Sequence, residues 1–248
     1  MSAVSARTGR VQHSTGASAG VRVKLSVIIP CYNEARRIVQ VLDAVRQVDI
    51  EKEIIVVDDA STDRTRELLE EQKRLHPFVT CFKPVNEGKG AAIRTGLELV
   101  TGDIVIMQDA DLEYDPGQFH EMIGPIVRGE AQAVYGSRFR GTIAGMQPAN
   151  RLANHLLTWA ANLLYAARIT DEATCYKAFR SDLIRSLPLR CNRFEFCPEV
   201  TARIRKLGVR IHEVPIRYVG RTSQEGKKIR WTDGVSAMWT LVKYRFMD

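Results

Sequence analysis

The sequence predicts an α/β fold, a Rossmann-like, mostly parallel sheet with helices on both faces, on three observations. Short β-branched apolar runs alternate with stretches of helical periodicity from residue 25 to residue 137. The runs are apolar at consecutive positions rather than at every second one, as in strands buried on both faces. Acidic residues stand directly after two of them, Asp58 and Asp59 after one, Asp109 and Asp111 after another. In open parallel sheets, ligands bind beyond the carboxyl ends of the strands.

The elements follow in order. Leu25 to Pro30 (LSVIIP) and Glu53 to Asp59 (EIIVVDD) read as buried strands, and between them Glu34 to Val48 carries Ile38, Val41, Leu42 and Val45 as one helical stripe. That βαβ unit should have a right-handed crossover. Arg64 to His76 reads as helix, Val79 to Lys83 as a short strand, Ala91 to Val100 as helix and Asp103 to Gln108 (DIVIMQ) as a buried strand. Pro116 to Arg128 follows as helix and Ala131 to Ser137 as strand. Beyond Arg138 the alternation loosens. Gly141 to Gln147 reads as a loop, Arg151 to Ala167 and Pro198 to Leu207 as helices, Val209 to Pro215 as a strand, and Gly220 to Lys228 as a polar, basic stretch. From Trp231 onward, Val235, Met238, Trp239, Val242 and Phe246 share one helical face. Such a face either packs on the core, the commoner case, or lies on a membrane surface.

The chain has 248 residues, 45% apolar and 26% charged, an ordinary globular balance. No run is long enough to cross a bilayer, since His155 to Ala167 is short and carries His, Thr and Asn. Residues 1–22 read as a flexible tail without a secretory signal, which makes the cytoplasm the expected compartment. The five cysteines show no CxxC spacing and read as reduced thiols. The net charge of +7 is uneven: +4 over residues 1–24, +7 over 202–248 and −4 between them. An acidic middle argues against nucleic acid as partner, and basic ends suit an anionic membrane surface or a phosphorylated ligand.

Parallel strands end at one edge, so Asp58, Asp59, Asp109, Asp111 and Glu113 converge where ligands bind. Adjacent carboxylates repel unless a cation lies between them, and hard oxygen ligands suit Mg²⁺ or Mn²⁺ carrying phosphates. A nucleoside diphosphate is the natural ligand. Gly88-Lys89-Gly90 fits neither the P-loop nor the dinucleotide fingerprint and reads as a turn or a backbone approach to a phosphate.

At these positions the chain resembles the family 2 glycosyltransferases of the GT-A fold. The resemblance lies in Pro30-Cys31-Tyr32-Asn33-Glu34, Val57-Asp58-Asp59-Ala60-Ser61-Thr62-Asp63, Asp109-Ala110-Asp111 and Gly136-Ser137-Arg138. Asp171 to Phe179, Glu213-Val214-Pro215-Ile216 and Arg221 with Glu225 and Lys227 resemble the dolichyl- and polyprenyl-phosphate mannosyltransferase branch. The resemblance implies a glycosyltransferase domain over 23–230, with a C-terminal acceptor-side region, and an amphipathic helix over 231–248 packed on the domain or on the membrane surface. It implies that Pro30, Tyr32, Glu34, Val57 and Asp59 hold the nucleoside of a GDP- or UDP-sugar. Asp109, Ala110 and Asp111 would bind its diphosphate, and Asp109, Asp111 and Glu113 the metal. Arg138, Arg151, Arg221 and Lys227 would meet donor or acceptor phosphates. The chain departs from the branch at Thr174-Cys175-Tyr176-Lys177 and at Glu225-Gly226-Lys227-Lys228.

The activity so implied is metal-dependent, inverting transfer of a hexose, mannose or glucose, to a polyprenyl phosphate at the cytoplasmic membrane face. A membrane partner or a surface helix would deliver the lipid. A phosphate monoester is largely dianionic at neutral pH and needs no strong base. The alternative acceptor, a saccharide hydroxyl, does need one, and Asp171 or Glu172 is the available pair, although a solvated turn is the plainer reading of both. A non-enzymatic subunit that binds nucleotide or membrane is a third reading, and it predicts tolerance of Asp111→Ala.

Overall fold

The structure, a computed structural model, describes residues 23–221 and 231–247. The elements are β1 (Leu25–Cys31), α1 (Ile38–Gln47), β2 (Lys52–Asp58), α2 (Thr65–Leu75), β3 (Val79–Phe82), α3 (Lys89–Glu98), β4 (Ile104–Met107), α4 (Phe119–Val127), β5 (Ala133–Ala144), α5 (Pro148–Tyr165), β6 (Lys177–Arg180), α6 (Ser181–Ser186), α7 (Phe196–Lys206), β7 (Ile211–Val219) and α8 (Trp231–Phe246). The expected tail, the basic stretch from Thr222 and Lys227 within it lie outside the described residues.

One seven-stranded sheet runs in the order β3-β2-β1-β4-β6-β5-β7. It is parallel except for β6, which is antiparallel to both β4 and β5. The chain leaves β1 toward β2 and β3 and returns to β4 on the other side, so the strand order switches between β1 and β4. Alternate residues of each strand feed two cores. Ile28, Ile55, Val57, Val105 and Met107 face one side with α3, α7 and α8, while Val27, Ile29, Val56 and Ile106 face the other with α1 and α4. Complete burial of β1 explains its lack of alternation in the sequence.

Several boundaries differ from those the sequence suggests. The first helix starts at Ile38, not Glu34, because Asn33 takes a left-handed φ of 52° and its side-chain oxygen accepts the amide of Thr62 at 2.7 Å. This holds Glu34 out of the helix. The expected loop Gly141 to Gln147 is largely strand: after a bulge, Thr142–Ala144 pair with Arg217–Val219. Gly141 allows it, since a Cβ there would collide with the Ile216 backbone. The strand expected at Val209 to Pro215 accordingly runs later, to Val219, and β6 and α6 were not foreseen. The helix expected from Arg151 begins at Pro148, whose fixed φ suits a first helical position, and the one expected from Pro198 begins at Phe196.

The terminal helix α8 packs on α5 and α7, but not by the face that periodicity suggests. It buries Ala237, Thr240, Leu241 and Tyr244, and Tyr165 Oη donates to the Leu241 carbonyl at 2.6 Å. Val235, Trp239 and Phe246 stay exposed.

Candidate active site

The carboxyl ends of β1, β2 and β4, the N-terminus of α3, and segments from β5, β7 and α8 enclose a cavity of about 420 Å³. Pro30, Tyr32, Glu34, Asp59, Asp109, Ala110, Asp111, Glu113, Arg138 and Arg221 line it, as the motif positions require. Val57 lies fully buried in β2, and Arg151 is exposed on α5; neither is among the lining residues.

Backbone amides set most of the acidic groups in place. Asp58 is a scaffold: it accepts the Ser61 amide at 3.1 Å and Arg66 Nε at 2.5 Å, which shapes the turn after β2. Asp59 accepts the amides of Glu87 (3.1 Å) and Gly88 (2.6 Å) and lies 3.3 Å from Lys83 Nζ. It thereby fixes the entry to α3. Gly88 has φ 104°, and Gly90 lies where a Cβ would meet the backbone of residues 191–193. The Gly-Lys-Gly triplet is thus a helix start under a crossing loop, and it aims Lys89 into the cavity, where its ammonium pairs with Asp109. Sequence reasoning did not single out Lys89; a basic residue between two glycines at a helix start was its only signal.

The three carboxylates after β4 differ in their partners. Asp111 accepts the Glu113 amide at 3.0 Å and Arg221 Nη2 at 2.6 Å. Burial, then the neighbouring Asp109 and Glu113, push its carboxyl up to about 7 despite Arg221. Glu113 accepts Tyr218 Oη at 2.7 Å and the Arg221 amide and Nε at 2.9 and 3.3 Å. Arg221 reaches Glu34 as well, at 3.5 Å. One guanidinium therefore bridges carboxylates from β1 and β4.

On the opposite wall, Arg138 forms a bidentate pair with Asp171, both bonds at 2.7 Å, and its amide donates to the same carboxylate. Its guanidinium carbon lies 5.2 Å from the centre of the Tyr218 ring. Asp171 and Glu172 are fully buried, which corrects the expectation of a solvated turn. Each is held from another segment: the Asp171 amide donates to Glu213 and the Glu172 amide to Thr158 Oγ1. Glu172 accepts from Thr201 Oγ1 at 3.2 Å, while its other oxygen has no hydrogen-bond partner, and burial pushes its carboxyl up to about 7. Lys177 lies 3.8 Å from the centre of the Tyr135 ring and donates to the carbonyls of Glu172 and Thr174. Cys175, within the stretch where the chain departs from the branch, lines the cavity as well, and so do Arg193 and Phe194, which carried no signal in the sequence because contacts between distant segments bring them there.

A switch-point cavity walled by strand-end aspartates, opposed by arginine and lysine, is where an open α/β sheet binds its ligand, and its mixed charges suit a phosphorylated one. Residues 26–187 match the model of glycosyl transferase family 2, and the chain belongs to that family. It is a glycosyltransferase. It is 29% identical over 248 residues to an undecaprenyl-phosphate mannosyltransferase of Micrococcus luteus, which covers 90% of this chain and 99% of that one. It is 27% identical to a dolichyl-phosphate beta-glucosyltransferase of Trichomonas vaginalis, covering 89% of this chain and 72% of that one. Identity to the low-salt glycan biosynthesis hexosyltransferase Agl6 of Haloferax volcanii is 29% over 84% of this chain, which spans about half, 51%, of that protein. The resemblance to the polyprenyl-phosphate branch is thus borne out. Among solved structures, glucosyl-3-phosphoglycerate synthase from Mycobacterium tuberculosis, crystallised with Mn²⁺, UDP and glucosyl-3-phosphoglycerate, superposes with a TM-score of 0.69. At 23% identity over 96% of this chain and 88% of that one, the likeness shows the shared fold. The same enzyme has been crystallised with Mg²⁺ and UDP, with a TM-score of 0.69 and 23% identity over 91% of this chain and 80% of that one.

Proposed function

We propose that this chain transfers a hexose from a nucleoside-diphosphate sugar to a polyprenyl phosphate, with inversion at the anomeric carbon, at the cytoplasmic face of a membrane. One observation carries the reading: Asp109 and Asp111 follow β4 into the switch-point cavity, with Lys89 and Arg221 against them. The curated relatives, two of them named for dolichyl or undecaprenyl phosphate, support the acceptor. An integral-membrane partner for lipid delivery has no supporting feature among the described residues.

The residues fit a divalent metal. Asp109 and Asp111 are hard oxygen donors, and burial together with the neighbouring Asp109 and Glu113 raises the pKa of Asp111, a cost that a cation between the carboxylates would relieve. Among the described residues no three acidic, His or Cys groups form a ready cage. Mg²⁺ and Mn²⁺ sites of this kind take one or two carboxylates and complete their shell with substrate phosphates and water. Glu113 fits less directly, since Tyr218 and Arg221 engage both its oxygens. The bound metal would neutralise the departing diphosphate. Asp59, Glu34 and Tyr32 would hold the nucleoside end, with Asp59 also fixing the α3 entry that presents Lys89. Arg221, and Lys227 beyond the described residues, would orient the phosphate oxygen that attacks the anomeric carbon. Arg138, locked by Asp171, would present its charge in a fixed position. With Asp171 engaged by Arg138 and Glu172 fully buried, neither is free to serve as a base, which favours a phosphate acceptor over a hydroxyl.

The test incubates purified protein with labelled GDP-mannose or UDP-glucose, polyprenyl phosphate and Mg²⁺ or Mn²⁺, and counts label in the organic phase. Metal-dependent label that disappears in Asp111→Ala is the expected result and identifies the donor. Label appearing only on saccharide acceptors would replace the lipid phosphate with a hydroxyl.

A further inference from the structure

We propose that the outward faces of α5 and α8 together form the surface by which this protein docks on an anionic lipid bilayer. This rests on the lipid-phosphate reading above. Leu152, Leu156, Trp159 and Leu163 are all more than half exposed and recur at spacings of four, three and four on α5, a single stripe on the side away from buried Leu157, Ala160 and Ala161. On α8 the exposed stripe is Trp231, Val235, Trp239 and Phe246. The two helices pack against each other. The chain has three tryptophans, Trp159, Trp231 and Trp239, and every one lies on these helices, 64–82% exposed. Isolated exposed apolar residues are ordinary, but two aligned stripes carrying all the tryptophan are not.

Charge identifies the occupant. Between Pro148 and Tyr165 there is no acidic residue, and the one acid of α8, Asp233, lines the cavity. Arg151, Arg168, Lys243 and Arg245 are exposed on or next to the two helices. Basic residues beside tryptophan and leucine suit the interface of an anionic leaflet, where indole rings settle at headgroup level. The position suits the reaction too. Thr232 and Asp233 line the cavity from the first turn of α8 and adjoin Trp231 in the chain, so the apolar stripe begins at the cavity wall. A lipid acceptor embedded in the bilayer would reach the cavity with its phosphate leading. Arg151, expected to meet a donor or acceptor phosphate, is exposed on α5 beside Leu152.

The experiment uses the full chain and vesicles of phosphatidylcholine with phosphatidylglycerol, free of polyprenyl phosphate and of sugar donor. Flotation and tryptophan emission are read at low and high salt. The wild type should float with the vesicles, shift its emission to the blue and release at high salt. Trp159→Ser with Trp239→Ser should weaken partitioning by roughly a hundredfold, about tenfold for each ring withdrawn from the interface. The double variant should keep its melting temperature and its transfer to a water-soluble short-chain prenyl phosphate. No flotation at low salt, or flotation that the double variant leaves intact, overturns the proposal. So does self-association of the wild type that the variant abolishes without any vesicle binding, since a second copy would then cover the face. Flotation without sugar transfer to any prenyl phosphate would remove the lipid-phosphate reading and leave the docking surface standing.

Discussion

Two pairs of acidic residues have opposite fates: Asp109 with Asp111 line the cavity, and Asp171 with Glu172 lie buried behind the wall that Arg138 forms. In the first pair each carboxylate lines the cavity and meets a cation that lines it too, Lys89 or Arg221. In the second, Asp171 is locked by a buried arginine in bidentate geometry, and Glu172 is enclosed with one oxygen unpaired. Composition is nearly the same and the setting decides the role. A carboxylate that faces the cavity is available to a ligand, while one enclosed behind its wall belongs to the framework.

Breaking each pair should therefore give different signatures. The largest effect is expected from Asp111→Ala: kcat/KM should fall by about a thousandfold, roughly 4 kcal/mol in transition-state stabilisation. Thermal melting should stay level or rise, because a crowded negative charge has gone; a collapse in melting temperature would make Asp111 structural. Asp171→Ala should do the reverse in kind, costing about 3 kcal/mol of stability in urea titrations by leaving Arg138 unpaired. A variant as stable as the wild type would show that Arg138 does not depend on Asp171.

Glu172→Gln is expected to stabilise. The Glu172 carboxyl titrates near 7 in the fold against an ordinary 4.5. The folded state thus holds a proton that the unfolded chain has released, and stability falls as pH rises from about 4.5 to about 7. The variant escapes that loss and should gain about 1–3 kcal/mol above pH 7, and little at pH 4.5. Denaturation at both pH values checks it, and an equal gain at each would assign the effect to packing. The smallest change is expected from Arg151→Ala, whose exposed charge should move stability by less than about 0.5 kcal/mol. Activity should hold on a soluble acceptor and drop on a vesicle-borne one; equal loss on both would place Arg151 in the chemistry.

The same contrast explains what could be read from the sequence. The strands β1, β2 and β4 are runs of β-branched residues buried on both faces, and the aspartates that follow them must emerge at one sheet edge. Pro30, Asp59, Asp109 and Asp111 were therefore legible in kind and in place. The half after Arg138 was not. The strand β6 has four residues and starts with a lysine, a pattern that carries no periodicity, and Asp171 and Glu172 before it are held by Arg138, Glu213 and Thr158, contacts that no local pattern records. The outer part of β5 reads RFRGTIA, polar and glycine-containing, because it pairs with β7 beyond the core. Lys89, Cys175 and Phe194 reach the cavity by contacts between distant segments, which local pattern does not record. The periodicity of α8 was visible, but whether its stripe faces inward or outward depends on where α5 and α7 meet it.

The clamp on Glu113 has a consequence for timing during synthesis. Its carbonyl accepts the Val219 amide at 3.1 Å and its carboxylate accepts Tyr218 Oη, a residue 105 positions later in the chain. On a ribosome the β1–β4 portion emerges first, and its central strands can begin to associate as they appear. Asp109 can meet Lys89 early, but Glu113 must wait until nearly half the protein more has been made and β7 lies alongside β5. Contacts over such separations form late. The cavity at the sheet edge is thus finished among the last parts of the molecule to form.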